Sequence, residues 1–308
     1  MRNHDDFRQL VDHAITRDDL VGIRPVVEKE LLHYEILNTL HKSGALKHLV
    51  FQGGTSLRLC YGSQRYSEDL DFAGGPDFAN AHMSHLRDML EKNVASRYGL
   101  EVTVKAPKQV REEPSRDGVQ VDAWQVAIQT APDRRDVPKQ KIKIEVANVT
   151  PHTREVRPIK NNWVEAASGF DDLLIGVETM EEIMADKLVA LPAVQSHVRN
   201  RDIWDLTFLA QRRKKPAISM VSAKVTEYRV DEYDAKLADM IERLPDIVEG
   251  NNFNQEMQRF LPPALVRSRL NNPEFREYMR KTVGDLLEEV RRGLDPDHVD
   301  INDDPFTI

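Results

Sequence analysis

Residues 50–72 read V-F-Q-G-G-T-S-L-R-L-C-Y-G-S-Q-R-Y-S-E-D-L-D-F, and their pattern changes period twice. The apolar pair Val50-Phe51 predicts a short strand, and Gly53-Gly54-Thr55-Ser56 a turn that opens a helix. The helix covers residues 57–61 and stops at Gly62; an extended segment then ends in Asp69-Leu70-Asp71-Phe72. A glycine pair at a helix start leaves backbone N–H groups unhindered, so Gly53 and Gly54 can cradle phosphate oxygens. Side chains alternate along an extended segment, which puts Asp69 and Asp71 on one face and Leu70 and Phe72 on the other. Two carboxylates so placed suit hard divalent cations, Mg²⁺ above all. Gly-Gly alone is common in plain turns, and D-x-D is common on solvated sheet edges. Their succession within one β-turn-α-β unit is what points to chemistry, because a phosphate cradle followed by a carboxylate pair is the layout of two-metal phosphoryl transfer.

The 308 residues suffice for one large domain or two ordinary ones, and a hydrophobic share of 40% with 31% charged residues reads as soluble and globular. Forty-three basic and 51 acidic residues leave a net charge of -8, which excludes a broad basic surface for nucleic acid. Contact with a polyanion then requires a local patch, for which the basic residues within 105–111 and 134–143 are the candidates. The single cysteine, Cys60, forbids an internal disulfide and lies in an apolar run, so it reads as a core thiol in a reducing compartment. No apolar stretch is long enough to span a membrane and residues 1–9 are polar, so the expected location is cytoplasmic.

Residues 1–20 are polar and read as loosely held. Across 25–46, Val27, Leu31, Leu32, Ile36, Leu40 and Leu46 recur at helical spacing and predict a helix covering one side of the core. Gly74-Gly75-Pro76-Asp77 marks a turn, and a helix over 79–98 follows, closed by Gly99. Three strand-like runs come next: 100–105, 119–130 and 141–149. In the last, Ile142, Ile144 and Val146 take the core face while Lys141, Lys143 and Glu145 take the other. Glu145 joins Asp69 and Asp71 if this strand pairs beside theirs; Asp122, in the neighbouring run, is the alternative third carboxylate.

Residues 171–178 read as a connector, and the pattern beyond is helical almost to the end. Lys187 lies beside the apolar stripe of the first of these helices, which ends at Pro192. Asp202 and Asp205, three residues apart in the next helix, share its inward face with Leu206. Inward carboxylates need partners, and Lys187 is the expected one. The tail 295–304 is acidic and reads as solvated. The fold class is therefore α+β: a core with a mixed sheet flanked by helices over 1–170, then an α-helical region over 171–308.

The run Gly53-Gly54-Thr55-x-x-Arg58, Tyr61-Gly62 and Arg65-Tyr66-Ser67-Glu68-Asp69-Leu70-Asp71-Phe72 resembles the AbiEii/AbiGii family of nucleotidyltransferase toxins, within the DNA polymerase β-like superfamily. Lys187-Leu188-x-Ala190-Leu191 and Arg201-Asp202-x-x-Asp205-Leu206 are similar to that family's second signature. The resemblance implies a nucleotidyltransferase core, nucleotide transfer from an NTP to an RNA acceptor, with tRNA 3′ ends the target, and an AbiEi-type antitoxin partner in a toxin–antitoxin or phage-defence system. It implies that Gly53, Gly54, Thr55 and Ser56 bind the triphosphate, and that Asp69, Asp71 and Glu145 hold two Mg²⁺ ions. Arg58 or Lys187 would add positive charge as pyrophosphate leaves, and Asp202, with Asp205 close behind, completes the helical signature. Lys187 and Asp202 are expected to converge on the mouth of the Asp69/Asp71 site. Gln52 stands where family members often carry a lysine, which removes a charge near the triphosphate. Two other readings stand beside this one: transfer to a small acceptor such as an antibiotic, and a non-catalytic binding module. The intact carboxylates argue against the second.

Overall fold

Apolar alternation flanked by glycines makes Val50–Gln52 (β1) and Leu70–Ala73 (β2) antiparallel neighbours, joined through the helix Gly53–Leu59 (α3). A computed structural model of the chain describes residues 4–17, 19–108, 113, 118–134, 136–163 and 173–295. Ahead of β1 lie the helices His4–Arg17 (α1) and Arg24–Lys42 (α2); after β2 come Leu86–Tyr98 (α4) and the strands Glu101–Lys105 (β3), Val121–Gln129 (β4) and Gln140–Ala147 (β5). Two short strands, Glu155–Pro158 (β6) and Leu174–Val177 (β7), complete a seven-stranded mixed sheet in the order β3-β4-β5-β2-β1-β7-β6. The pairs β2–β5 and β1–β7 are parallel and the others antiparallel.

One face of this sheet is the core. Phe51, Phe72, Ile142, Ile144, Val146, Val126 and Ile128 are fully buried there, with the Phe51 and Phe72 rings stacked 5.1 Å apart. Helix α2 packs against β5 and α4 against β3. Cys60 is buried as expected, and burial pushes its thiol up to about 12, so it is inert at neutral pH.

Three expectations need correction. Residues 4–17 are not loose: Phe7, Val11, Ala14 and Ile15, at helical spacing, are buried, and the Phe7 ring meets Tyr98 edge-on at 5.1 Å. The helix expected over 79–98 is broken, with a 3₁₀ turn at Asn80–Met83 before α4 begins at Leu86. The stretch 171–178 is more than a connector, since it carries β7; this four-residue strand has no polar alternation to mark it, and its pairing partner β1 lies over a hundred residues away. The tail 295–304 lies outside the described residues beyond Asp295.

The chain divides into two compact units, Met1–Thr179 with Gln255–Asn272, and Met180–Asn254 with Pro273–Ile308. The second unit is helical among the described residues: Met180–Ala193 (α5), Asn200–Gln211 (α6), Ile218–Glu227 (α7), Tyr233–Glu249 (α8), the start of Asn251–Gln258 (α9) and, after the short turn Pro263–Leu265 (α10) of the first unit, Pro273–Leu294 (α11). Helix α8, with Leu237, Met240, Leu244 and Val248 buried, packs against α11, whose Met279, Val283, Leu287 and Val290 are buried in turn. Residues 255–272 join the first unit, where Phe260 O accepts the Tyr66 N–H at 2.8 Å.

Candidate active site

The β1–α3–β2 turn is shaped by glycine. Gly53 has φ +77°, a left-handed value that side chains rarely adopt, and a methyl group there would lie 2.7 Å from Asp71 Oδ2. A methyl at Gly54 would fall on the Arg65 guanidinium and lie 3.1 Å from Ser67 Oγ. Close approach therefore demands both glycines. Gly53→Ala is expected to push Asp71 aside and to cost on the order of 1–3 kcal/mol in backbone strain, read as a lowered melting temperature together with a lost transfer rate. An alanine variant with wild-type turnover would show that the turn tolerates the displacement.

Register then assembles the carboxylates. Gln52 pairs with Asp71 across β1–β2, and Asp71 pairs with Glu145 across β2–β5. Residues paired in register share a face, with neighbouring strands ~4.8 Å apart, so Gln52, Asp71 and Glu145 form one row. Asp69 stands just before β2, and its Oδ1 accepts the Lys143 N–H at 2.9 Å, tying it to β5. The Glu145 carboxylate leans toward Lys143 Nζ at 3.5 Å. Asp122 is paired in register with Val146, so it belongs to the core face, where its carboxylate accepts from Asn80 Nδ2 at 3.0 Å. Register thus puts Glu145, and not Asp122, on the face of Asp71.

The remaining expected residues of this unit support the turn. Thr55, buried, donates its hydroxyl proton to the Asp69 carbonyl, and Ser56 Oγ donates to Gly53 O at 2.8 Å. Both hydroxyls thereby brace the loop. Arg58 lies over the Tyr66 ring at 4.1 Å and gives its charge to buried Glu30, Nε to Oε2 at 2.7 Å. Burial opposes that guanidinium's charge, but Glu30 outweighs it and holds the pKa above its ordinary value. Glu30 also accepts from Asn162 Nδ2 at 2.9 Å and Trp163 Nε1 at 3.1 Å. On the other flank, Lys29 pairs with Glu68 at 2.6 Å, and His33 Nε2 lies 3.0 Å from Glu68 O. Burial pulls the His33 pKa below its usual value, so the ring is neutral and donates to that carbonyl.

Arg65 and Ser67 escaped residue-type reasoning, although both lie inside the quoted stretch. Arg65 is buried, donates to Tyr66 O at 2.7 Å, and places its guanidinium beneath Gly54. That puts a cation at the glycine turn, where Gln52 supplies none. Arginine so close to a D-x-D was the available signal.

In the second unit, Lys187 is buried and its Nζ reaches Asp202 Oδ1 at 2.7 Å and Asp205 Oδ2 at 2.8 Å. Arg199 bonds the other Asp202 oxygen. Burial would raise the Asp202 pKa, yet Lys187 and Arg199 outweigh it and hold the carboxylate well below its usual range. The structure therefore sets Asp71 against the glycine turn, with Glu145 beside it in register and Asp69 just before β2, and brings Lys187, Asp202 and Asp205 together in the second unit.

No curated protein matches the chain. Among solved structures, it is similar to MenT4, a nucleotidyltransferase toxin from Mycobacterium tuberculosis H37Rv, with TM-score 0.58 and 18% identity over 92% of this chain and 89% of that one. JHP933 from Helicobacter pylori aligns over 87% of this chain and 93% of its own, at 20% identity and TM-score 0.43. The MenT4 likeness shows the fold. The family model described as nucleotidyl transferase AbiEii toxin, type IV toxin–antitoxin system, matches residues 35–286, most of the chain. With that match and the nucleotidyltransferase fold in hand, the chain belongs to the AbiEii nucleotidyltransferase toxins of type IV toxin–antitoxin systems.

Proposed function

We propose that the chain transfers a nucleotidyl group from an NTP to an RNA hydroxyl, a tRNA 3′ end being the acceptor class, and that it does so in the cytoplasm under the restraint of an AbiEi-type antitoxin. The observation that carries this reading is the Asp71–Glu145 register pair standing beside Asp69 and the glycine turn. The acceptor oxygen forms a bond to the α-phosphorus, the bond from that phosphorus to the bridging oxygen breaks, pyrophosphate departs, and the acceptor proton passes to solvent. The Gly53-Gly54 backbone orients the triphosphate, with Thr55 and Ser56 holding the loop in shape through their carbonyl partners. Arg65 places positive charge beneath that loop.

The donor set fits Mg²⁺, since Asp69, Asp71 and Glu145 offer hard carboxylate oxygens on one side of the sheet. Their ligand atoms do not all lie within 4.8 Å of one another among the described residues, and Glu145 must turn from Lys143 to join the others. When bound, two such ions supply charge that offsets the negative phosphates. Asp69 keeps its Oδ2 for this purpose while Oδ1 holds β5. Lys187, Asp202 and Asp205 form the helical signature, which we assign to support of the same transfer.

The test is incubation of the chain with each α-labelled NTP, Mg²⁺ and total cellular RNA. Label in a tRNA-sized product is expected. Label only in a small molecule would replace the RNA acceptor, and label in no product would overturn nucleotidyl transfer.

A further inference from the structure

We propose that the open face of the β3–β4–β5 half-sheet is the docking surface for the sugar–phosphate backbone of the acceptor strand; this rests on the RNA-acceptor reading above. The core side of these strands is closed: Val104, Trp124, Val126, Ile128, Ile142 and Ile144 are all buried. The opposite side is exposed at Thr103, Lys105, Ala123, Lys141 and Lys143. Register sets these residues in rows. Lys105 pairs with Gln125 and Gln125 with Lys143; Thr103 pairs with Ala127 and Ala127 with Lys141; Ala123 pairs with Glu145, which pairs with Asp71. The lysine rows therefore lie beside the carboxylate row on one face, successive rows being about 7 Å apart along β5.

Charge complementarity identifies the occupant. A chain of net charge -8 repels a polyanion over most of its surface, so a local cationic field adjoining the reacting atoms decides where such a strand settles. Glu101 on this face is offset by Lys139 at 2.6 Å. The floor of Ala123, Ala127 and Gln125 is low, so a strand can lie flat against it. Among the described residues this face presents no aromatic side chain, and bases find no stacking platform. The grip is therefore lysine on phosphate, which positions a strand without reading its sequence.

The experiment uses the full chain with Lys105→Glu and Lys141→Glu combined, neither of them in the carboxylate row. Binding of a labelled single-stranded RNA is followed by anisotropy across a salt series, and transfer kinetics are measured against RNA and NTP separately. Two lost phosphate contacts predict a salt slope shallower by about 1.4 and an acceptor KM raised roughly tenfold or more. The kcat at saturating RNA and the KM for NTP are expected to stay as in the wild type, and wild-type affinity to be alike for strands of different base sequence. Unchanged acceptor KM and slope in a wild type that does label RNA would remove the docking face alone. An equal rise in the KM for NTP, or strong base preference, would also overturn it. Absence of RNA labelling by the wild type sinks the RNA reading and this surface with it. Should charge reversal unfold the chain, Lys105→Gln with Lys141→Gln makes the same test with a smaller shift, its melting temperature serving as control.

Discussion

Asp71→Asn is expected to remove transfer, lowering kcat by on the order of 10³-fold, while the melting temperature stays near that of the wild type. The magnitude follows the loss of one preorganised electrostatic group at a reacting phosphate. Asp71 is the sharper choice over Asp69 because Asp69 Oδ1 also holds the Lys143 N–H at 2.9 Å, so its replacement disturbs the β2–β5 pairing as well as the site. Asparagine preserves the volume of the side chain that lies against Gly53. Asp122→Asn is the matched control. That residue is also an aspartate on a strand of the same sheet, but it is buried on the Val146 face against Asn80. It is expected to leave kcat unchanged. Single-turnover incorporation, beside thermal melts of both variants, separates the outcomes, and a folded Asp71→Asn with wild-type turnover would end the carboxylate reading.

Lys187→Met is expected to destabilise the helical unit strongly. Its ammonium serves two buried carboxylates at once, Asp202 at 2.7 Å and Asp205 at 2.8 Å, and Asp205 is fully buried. Removing one partner of a buried ion pair costs about 3–5 kcal/mol, because charge in the interior is left less well compensated. Both carboxylates lose the Lys187 ammonium, while Asp202 retains Arg199. A fall in melting temperature on the order of 10 °C follows for a domain of this size. Replacing all three residues by apolar ones, Lys187→Met with Asp202→Leu and Asp205→Leu, should recover most of the loss. The triple variant then decides the role of the network: folded and active means scaffolding, folded and inactive means participation in transfer. Single Lys187→Met with wild-type stability would contradict the buried-pair argument itself.

The same network sets an acid limb. Asp202 binds its proton more weakly when folded than when unfolded, so its contribution to stability is fully present above the ordinary carboxylate pKa of about 4. Stability falls as the pH drops below that value toward the depressed folded pKa.

The succession Gly53-Gly54, Asp69, Asp71 was legible in the sequence because turn chemistry and period-two alternation act over a few residues. The clean alternation of Ile142, Ile144 and Val146 likewise dictated which side of β5 Glu145 would take. The inward faces of α5 and α6 were readable for the same reason, and with them the need of Asp202 and Asp205 for a cation. Whether Glu145 stands beside Asp71 was beyond such reasoning, since parallel pairing of β2 with β5 joins residues more than seventy positions apart and no local signal sets that register. Strands β6 and β7 were invisible for a related cause, being four residues long and held by partners rather than by pattern. Partner choice among charges was decided in three dimensions too. Arg58 turned to Glu30 and Arg65 came beneath Gly54, because each guanidinium settles where burial and the nearest available partner jointly minimise its desolvation. Local periodicity thus wrote the elements and their faces, while long-range register and the pairing of buried charges, which depend on the packed chain as a whole, wrote the site.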